Sequence, residues 1–253
     1  MDLSIIIPCF NEYENVPKIK RELLPVVADL AQERIVELIF VDDGSLDGTG
    51  RTLQATFGKL EIPRVRVQIE RHPSNLGLGA ALRTGFAASS GEILLTTDSD
   101  GTYPFDTIPG LLSCLTFDVD IVTASPYHPK GGVVGVPTYR LLLSRGSSRI
   151  YRLLVDYRLR TYTCLYRAYR AEVVRSILFQ ANDYLAGTEL LVKAILSGYR
   201  VVEYPAVLHS RQLGVSKARL FRTVLSHLHF QSQVLFHRLN LKPLLPAVHA
   251  SQG

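Results

Sequence analysis

The chain of 253 residues has only three cysteines, Cys9, Cys114 and Cys164. They are widely spaced, match no zinc pattern and cannot all pair among themselves, so a reducing cytosol is the simpler reading. No uninterrupted apolar stretch reaches the roughly 18 residues that suggest a membrane span. The N-terminus enters an apolar run at once, without a basic segment or cleavage site. The expectation is a cytoplasmic chain that neither crosses a bilayer nor carries a secretory signal. Also missing are internal repeats, low-complexity segments and basic blocks with interleaved aromatics, so no nucleic-acid partner is expected. What remains is a formal charge of +5 and 47% hydrophobic content. That excess suits phosphorylated substrates or an anionic membrane surface, and the length allows one α/β domain with a substantial core.

The first half alternates two periodicities. Apolar runs at Leu3–Pro8, Val36–Val41, Val65–Glu70, Ile93–Thr97 and Val119–Ala124 are separated by helical patterns at Glu14–Leu30, Thr49–Phe57, Leu76–Ser89 and Phe105–Leu115. Continuous apolar strands between helices predict a mainly parallel sheet covered on both faces, with ligands beyond the carboxyl ends of its strands. The second half is less regular. A glycine-rich loop at Gly131-Gly132 precedes a helix from about Tyr139 to Leu154, then a basic-aromatic segment, Tyr157–Tyr169. A helix at Tyr184–Leu196, a strand at Arg200–Tyr204 and an amphipathic helix at Ala218–Leu239 complete the pattern.

Asp98-Ser99-Asp100 follows the fourth apolar run. Side chains at i and i+2 of an extended segment share a side, so both carboxylates can face one hard cation. Mg²⁺ or Mn²⁺ held this way keeps positions open for phosphate oxygens. Carboxylates are also ordinary turn residues after strands, and the pair alone does not decide. Asp42-Asp43-Gly44-Ser45 follows the second run; it reads either as a turn, with Asp47 capping the next helix, or as an acceptor for a nucleobase or ribose. Gly77-Leu78-Gly79 resembles part of a dinucleotide fingerprint, but Ala80-Ala81-Leu82 lacks the third glycine.

Taken together, Ile5-Ile6-Ile7-Pro8-Cys9-Phe10-Asn11-Glu12, Val41-Asp42-Asp43-Gly44-Ser45, Asn75-Leu76-Gly77-Leu78-Gly79-Ala80-Ala81 and Asp98-Ser99-Asp100 stand in the order found in family 2 glycosyltransferases of the GT-A fold. Ser144-Arg145-Gly146, Tyr166-Arg167-Ala168-Tyr169 and Arg211-Gln212-Leu213-Gly214-Val215-Ser216-Lys217 narrow the resemblance to dolichol-phosphate mannose synthases and bacterial polyprenyl-phosphate glycosyltransferases. The resemblance implies an α/β GT-A domain over residues 1–239. Residues 1–124 would form the nucleotide-sugar half, 125–217 the acceptor half, 218–239 the amphipathic helix and 240–253 a tail. It implies that Pro8, Phe10, Glu12, Asp42, Asp43, Asn75, Gly77 and Ser99 line the donor pocket, while Asp98 and Asp100 hold the metal. Arg145, Arg211 and Lys217 would face the phosphate of a polyprenyl acceptor, and the donor would be GDP-mannose or UDP-glucose. A phosphate monoester with its second pKa near ~6 is already anionic, so it needs cations more than a general base.

Two residues depart from that pattern. Ser125-Pro126-Tyr127 stands where such enzymes usually carry arginine after the fifth strand, so phosphate binding must shift to Lys130, Arg145 or Arg211. Gly101-Thr102 replaces a common Leu-Gln. Glu189 lies where enzymes with hydroxyl acceptors place a base; its other reading is an i, i+4 pair with Lys193. The apolar residues Leu220, Phe221, Val224, Leu225 and Leu228 fit either a membrane interface or packing onto the core.

Overall fold

The computed structural model describes residues 1–211, 213 and 220–245. Its centre is a seven-stranded sheet built from β1 (Leu3–Cys9), β2 (Val36–Asp42), β3 (Val65–Arg71), β4 (Ile93–Thr96), β5 (Ile121–Ser125), β7 (Arg167–Arg170) and β8 (Val201–Pro205), in the order β3-β2-β1-β4-β7-β5-β8. A separate parallel pair joins β6 (Gly132–Val134) to β9 (Val207–His209). The helices are α1 (Val16–Leu30), α2 (Thr49–Phe57), α3 (Leu78–Ala88), α4 (Ile108–Ser113), α5 (Thr138–Leu154), α6 (Ala171–Ser176), α7 (Ala186–Leu196) and α8 (Leu220–Arg238).

Period-two alternation explains the layering. Ile5, Ile7, Leu38 and Phe40 point to one face, where Ile19, Leu23 and Val27 of α1 and Leu53 and Phe57 of α2 cover them. Ile6, Ile39 and Val41 point to the other, against Ala81 of α3. Both faces are therefore dry, as the uninterrupted apolar runs predict.

The sheet is parallel except at β7, which runs antiparallel to both β4 and β5. The basic-aromatic pattern of Tyr157–Tyr169 concealed this strand, because its sequence Arg167-Ala168-Tyr169-Arg170 carries charge at both ends. Arg167 is nevertheless fully buried. Its guanidinium donates to Thr123 Oγ1 at 2.9 Å, to the Tyr162 carbonyl at 2.6 Å and to the Gly187 carbonyl. Satisfied donors let the charge sit in the core and tie β5, β7 and α7 together.

Helix α8 packs on α5. Phe230 and Val234 are buried in the cluster that holds Tyr151 of α5. The face that fits either core or interface is divided: Phe221 is 78% exposed and Leu225 about half exposed, whereas Val224 and Leu228 line a cavity between α5 and α8. Among the described residues, no helix is long and apolar enough to cross a membrane.

Candidate active site

The carboxyl ends of β1, β2 and β4 bring the expected motifs to one edge. Asp98 and Asp100 follow β4, and the chain turns sharply at Gly101 with φ +65°. Asp100 is buried, and one of its oxygens accepts the Thr102 amide at 3.0 Å while the other accepts Arg211 Nε at 2.8 Å. A further guanidinium nitrogen of Arg211 donates to Glu12 at 3.0 Å. Glu12 also accepts the Asn15 amide group at 2.6 Å, and Lys18 donates to the Asp100 carbonyl at 3.1 Å. Burial, and then the Asp100 charge beside it, push the Asp98 carboxyl up to about 7.

Around this centre, Pro8 and Phe10 are half-buried at the end of β1, and Ser99 is buried beneath them near Cys9. The Asn11 amide donates to Ser45 Oγ at 2.9 Å and the Glu12 amide to Thr49 Oγ1 at 2.8 Å, which fastens the loop after β1 to the loop after β2. Asp47 accepts the Thr49 amide at 3.0 Å just ahead of α2, but the N-cap position is held by Gly48, so Asp47 closes the turn before the helix rather than capping it.

Asp43 is fully occupied within the protein and Asp42 only in part, since its buried Oδ2 has no hydrogen-bond partner among the described residues. Asp42 is buried, accepts the Ser45 amide at 3.0 Å and pairs with Arg71 Nε at 3.3 Å. Asp43 accepts His72 Nδ1 at 2.6 Å, Asn75 Nδ2 at 3.0 Å, the Leu76 amide at 2.9 Å and the Gly77 amide at 2.8 Å. A carboxylate has about four acceptor positions, so Asp43 is saturated as the clasp of the 72–77 loop rather than presented to a nucleobase. Gly77 has φ +97°, and a Cβ there would sit 2.2 Å from the Asn182 carbonyl oxygen. Its glycine serves a close approach of two loops.

Of the two readings of Glu189, a base and an i, i+4 partner of Lys193, the contacts display the pair. One oxygen accepts the amides of Gln180 at 3.0 Å and Ala181 at 2.8 Å; the other accepts Lys193 Nζ at 2.6 Å. The i, i+4 pair is the observed arrangement, extended into a clamp on the 180–181 loop.

Asp98 opens on a cavity of about 460 Å³ whose lining includes Tyr103, Tyr127, Tyr184, Leu143, Val224 and His227. The walls are largely apolar side chains of α5 and α8. Arg145 is not beside Asp98 in this lining. It lies over the Tyr127 ring at 5.0 Å and borders a second cavity, of about 370 Å³, with Pro126, His128, Arg149, Arg152 and Arg160. Lys130 is exposed and outside both linings, and Lys217 falls outside the described residues. The tyrosines and the additional arginines escaped the sequence reading. Arg145, Arg149 and Arg152 at i, i+4 and i+7 on one helix were the available signal.

Among the described residues, no group of three or more His, Cys, Asp or Glu side chains gathers around one point. The donor set at Asp98 and Asp100 is two carboxylates, which matches how Mg²⁺ or Mn²⁺ is shared with substrate phosphates. Asp100 is paired with the Arg211 guanidinium, which a metal ion held there would have to displace.

This mostly parallel sheet, with carboxylates beyond β4 opening on an apolar cavity, defines a GT-A glycosyltransferase. The model of glycosyl transferase family 2 matches residues 4–178, and the chain belongs to that family; it is a glycosyltransferase. It is 35% identical over 219 residues to the polyprenol monophosphomannose synthase of Mycolicibacterium smegmatis, covering 84% of this chain and 79% of that protein. It is 31% identical over 223 residues to the undecaprenyl-phosphate mannosyltransferase of Micrococcus luteus, covering 86% and 87%. Among solved structures, glucosyl-3-phosphoglycerate synthase of Mycobacterium tuberculosis, in complex with Mn²⁺, UDP and glucosyl-3-phosphoglycerate, has a TM-score of 0.64 at 21% identity, covering 96% of this chain and 81% of that one.

Proposed function

We propose that this enzyme moves a hexose from a nucleotide diphosphate sugar to a polyprenyl phosphate, in one metal-dependent, inverting displacement. The observation that carries the reading is the placement of Asp98 on the wall of an apolar cavity that adjoins an arginine-lined one across Pro126 and Tyr127. An apolar chain and a phosphate head match those two environments side by side. Two relatives named for mannosyl transfer favour mannose, and hence GDP-mannose, as donor, with UDP-glucose the alternative.

In this proposal Asp98 and Asp100 hold Mg²⁺ or Mn²⁺, which neutralises the charge that develops on the leaving diphosphate. Arg211 releases its carboxylate partners as the donor arrives and turns to phosphate oxygens, for which its planar fork is suited. Arg145 and Arg211, with Lys217, orient the acceptor phosphate. Pro8, Phe10 and Glu12 border the nucleotide, and the Asp43 clasp shapes the loop behind it. Residues 1–124 serve the donor and 125–217 the acceptor within one domain. The exposed apolar face of α8 brings the chain to a membrane surface as a peripheral contact, on the side that holds nucleotide sugars.

A hydroxyl acceptor with Glu189 as base is not favoured, because both oxygens of that carboxylate are engaged. The test is a panel of nucleotide sugars with Mg²⁺ or Mn²⁺ and a short polyprenyl phosphate, read as lipid-linked product with its anomeric configuration. Product on a sugar hydroxyl, or none on any polyprenyl phosphate, overturns the proposal.

A further inference from the structure

The arginine-lined cavity carries more positive charge than one acceptor needs. Arg145, Arg149, Arg152 and Arg160 border it with His128, and none of Glu12, Asp98 or Asp100 does. A phosphate monoester brings a charge of only about −1.5 to −2. Arg152 spends two nitrogens on the Tyr157 carbonyl, at 3.1 and 3.0 Å, and Arg160 lies 4.0 Å from Glu203. Among the described residues neither Arg145 nor Arg149 has a carboxylate partner. With Arg145 assigned to the acceptor, Arg149 remains as an exposed guanidinium at the rim.

The surroundings of Arg149 select its ligand. On α5 the positions 142, 149 and 153 fall on one ridge of a 3.6-residue helix. Leu153 is 87% exposed and Leu142, which also stands at the mouth of the apolar cavity beside Asp98, is 66% exposed, so the arginine stands between the cavity mouth and an outward leucine. A guanidinium set in an apolar ridge fits the boundary between acyl chains and headgroups, where the charge stays at phosphate level and the leucines enter below it. A water-soluble anion would give no reason for Leu153, which lines neither cavity.

We propose that Arg149, supported by Arg152, is a second anion site that binds the headgroup phosphate of an anionic phospholipid next to the acceptor, and so sets the enzyme's orientation on the bilayer. The inference rests on the lipid-acceptor reading above. It adds a ligand that is neither donor nor acceptor.

The test uses the full chain and needs no turnover. Sedimentation measures partitioning onto vesicles of phosphatidylcholine alone, of phosphatidylcholine with phosphatidylglycerol, and of phosphatidylcholine with polyprenyl phosphate. The expected result is preferential binding to the phosphatidylglycerol vesicles, lowered about five-fold by Arg149→Gln, as one arginine near an anionic surface implies. The double change Arg149→Gln with Arg152→Gln should lower it further, while phosphatidylcholine binding stays constant. In detergent, Arg145→Gln should raise the KM for a short-chain acceptor well above any change that Arg149→Gln causes. Equal binding of parent and Arg149→Gln to phosphatidylglycerol vesicles overturns the proposal. So does recruitment only by polyprenyl phosphate, or a KM for the short acceptor raised as far by Arg149→Gln as by Arg145→Gln, either of which returns Arg149 to the acceptor's own phosphate. If instead the parent forms no lipid-linked product yet shows the expected vesicle binding, the function proposed above fails and the headgroup site stands.

Discussion

Arg211 donates from Nε to Asp100 at 2.8 Å, across 111 positions of sequence, and thereby closes the acceptor-side segment onto the aspartates after β4. The same guanidinium reaches Glu12 at 3.0 Å, so one side chain touches the ends of both β4 and β1.

In the proposed reaction that guanidinium turns from the carboxylates to phosphate oxygens. Hydrogen bonds to charged groups are worth about 1.5–3 kcal/mol, so Arg211→Ala should lower kcat/KM by roughly ten- to 150-fold. Arg211→Lys should recover only part, because a point charge cannot grip phosphate oxygens in two places as a planar fork does. Steady-state kinetics with circular dichroism on each variant checks this; full activity in Arg211→Ala refutes it.

The metal proposal predicts that Asp98→Ala and Asp100→Ala abolish transfer while the sheet stays folded, since neither side chain belongs to the apolar clusters. EDTA should stop the parent enzyme and added Mg²⁺ or Mn²⁺ should restore it. Transfer at parental rate in EDTA counts against the role assigned to these aspartates.

Glu189→Gln should affect stability more than chemistry. The amide retains a single acceptor oxygen for two backbone N–H groups and Lys193, so thermal unfolding should report a loss of about 1–3 kcal/mol. Removing a general base would instead cost about 10²–10⁴ in rate. A loss of that size with unchanged unfolding would restore Glu189 as a base.

His227 supplies a pH dependence. Burial against Tyr151, whose hydroxyl lies 3.1 Å from Nδ1, lowers its pKa from 6.5 to about 4. The facing groups are Ser147 and Tyr151 of α5, with Asp183 acting more distantly in the opposite sense. As pH falls through 6.5 the unfolded chain takes up a proton that the folded chain refuses until about 4. This contribution to stability is therefore constant above that window, falls within it and levels off below. At 1.36 kcal/mol per pH unit the loss is at most about 3 kcal/mol. Denaturant melts of parent and His227→Gln across the window should differ in slope; parallel curves would refute the assignment.

Much of the architecture was legible in the chain because it is local. Continuous β-branched runs can be dry on both faces only in a covered sheet, and the ends of those runs put the Asp98 and Asp43 motifs on one edge. The order of those motifs sufficed for the family. What the sequence left open depends on side chains distant along the chain. Asp43 reads equally as a turn residue or a ligand acceptor until His72, Asn75 and the amides of Leu76 and Gly77 converge on it, and Glu189 reads equally as a base or a partner of Lys193 until the 180–181 loop folds over it. Strand β7 was invisible because Arg167 is buried only when Thr123, Tyr162 and Gly187 are present to accept its donors. The outward face of α8 was undecided for the same reason: periodicity gives a helix its stripes, but only the packing of Tyr151 against Phe230 determines which stripe meets the core.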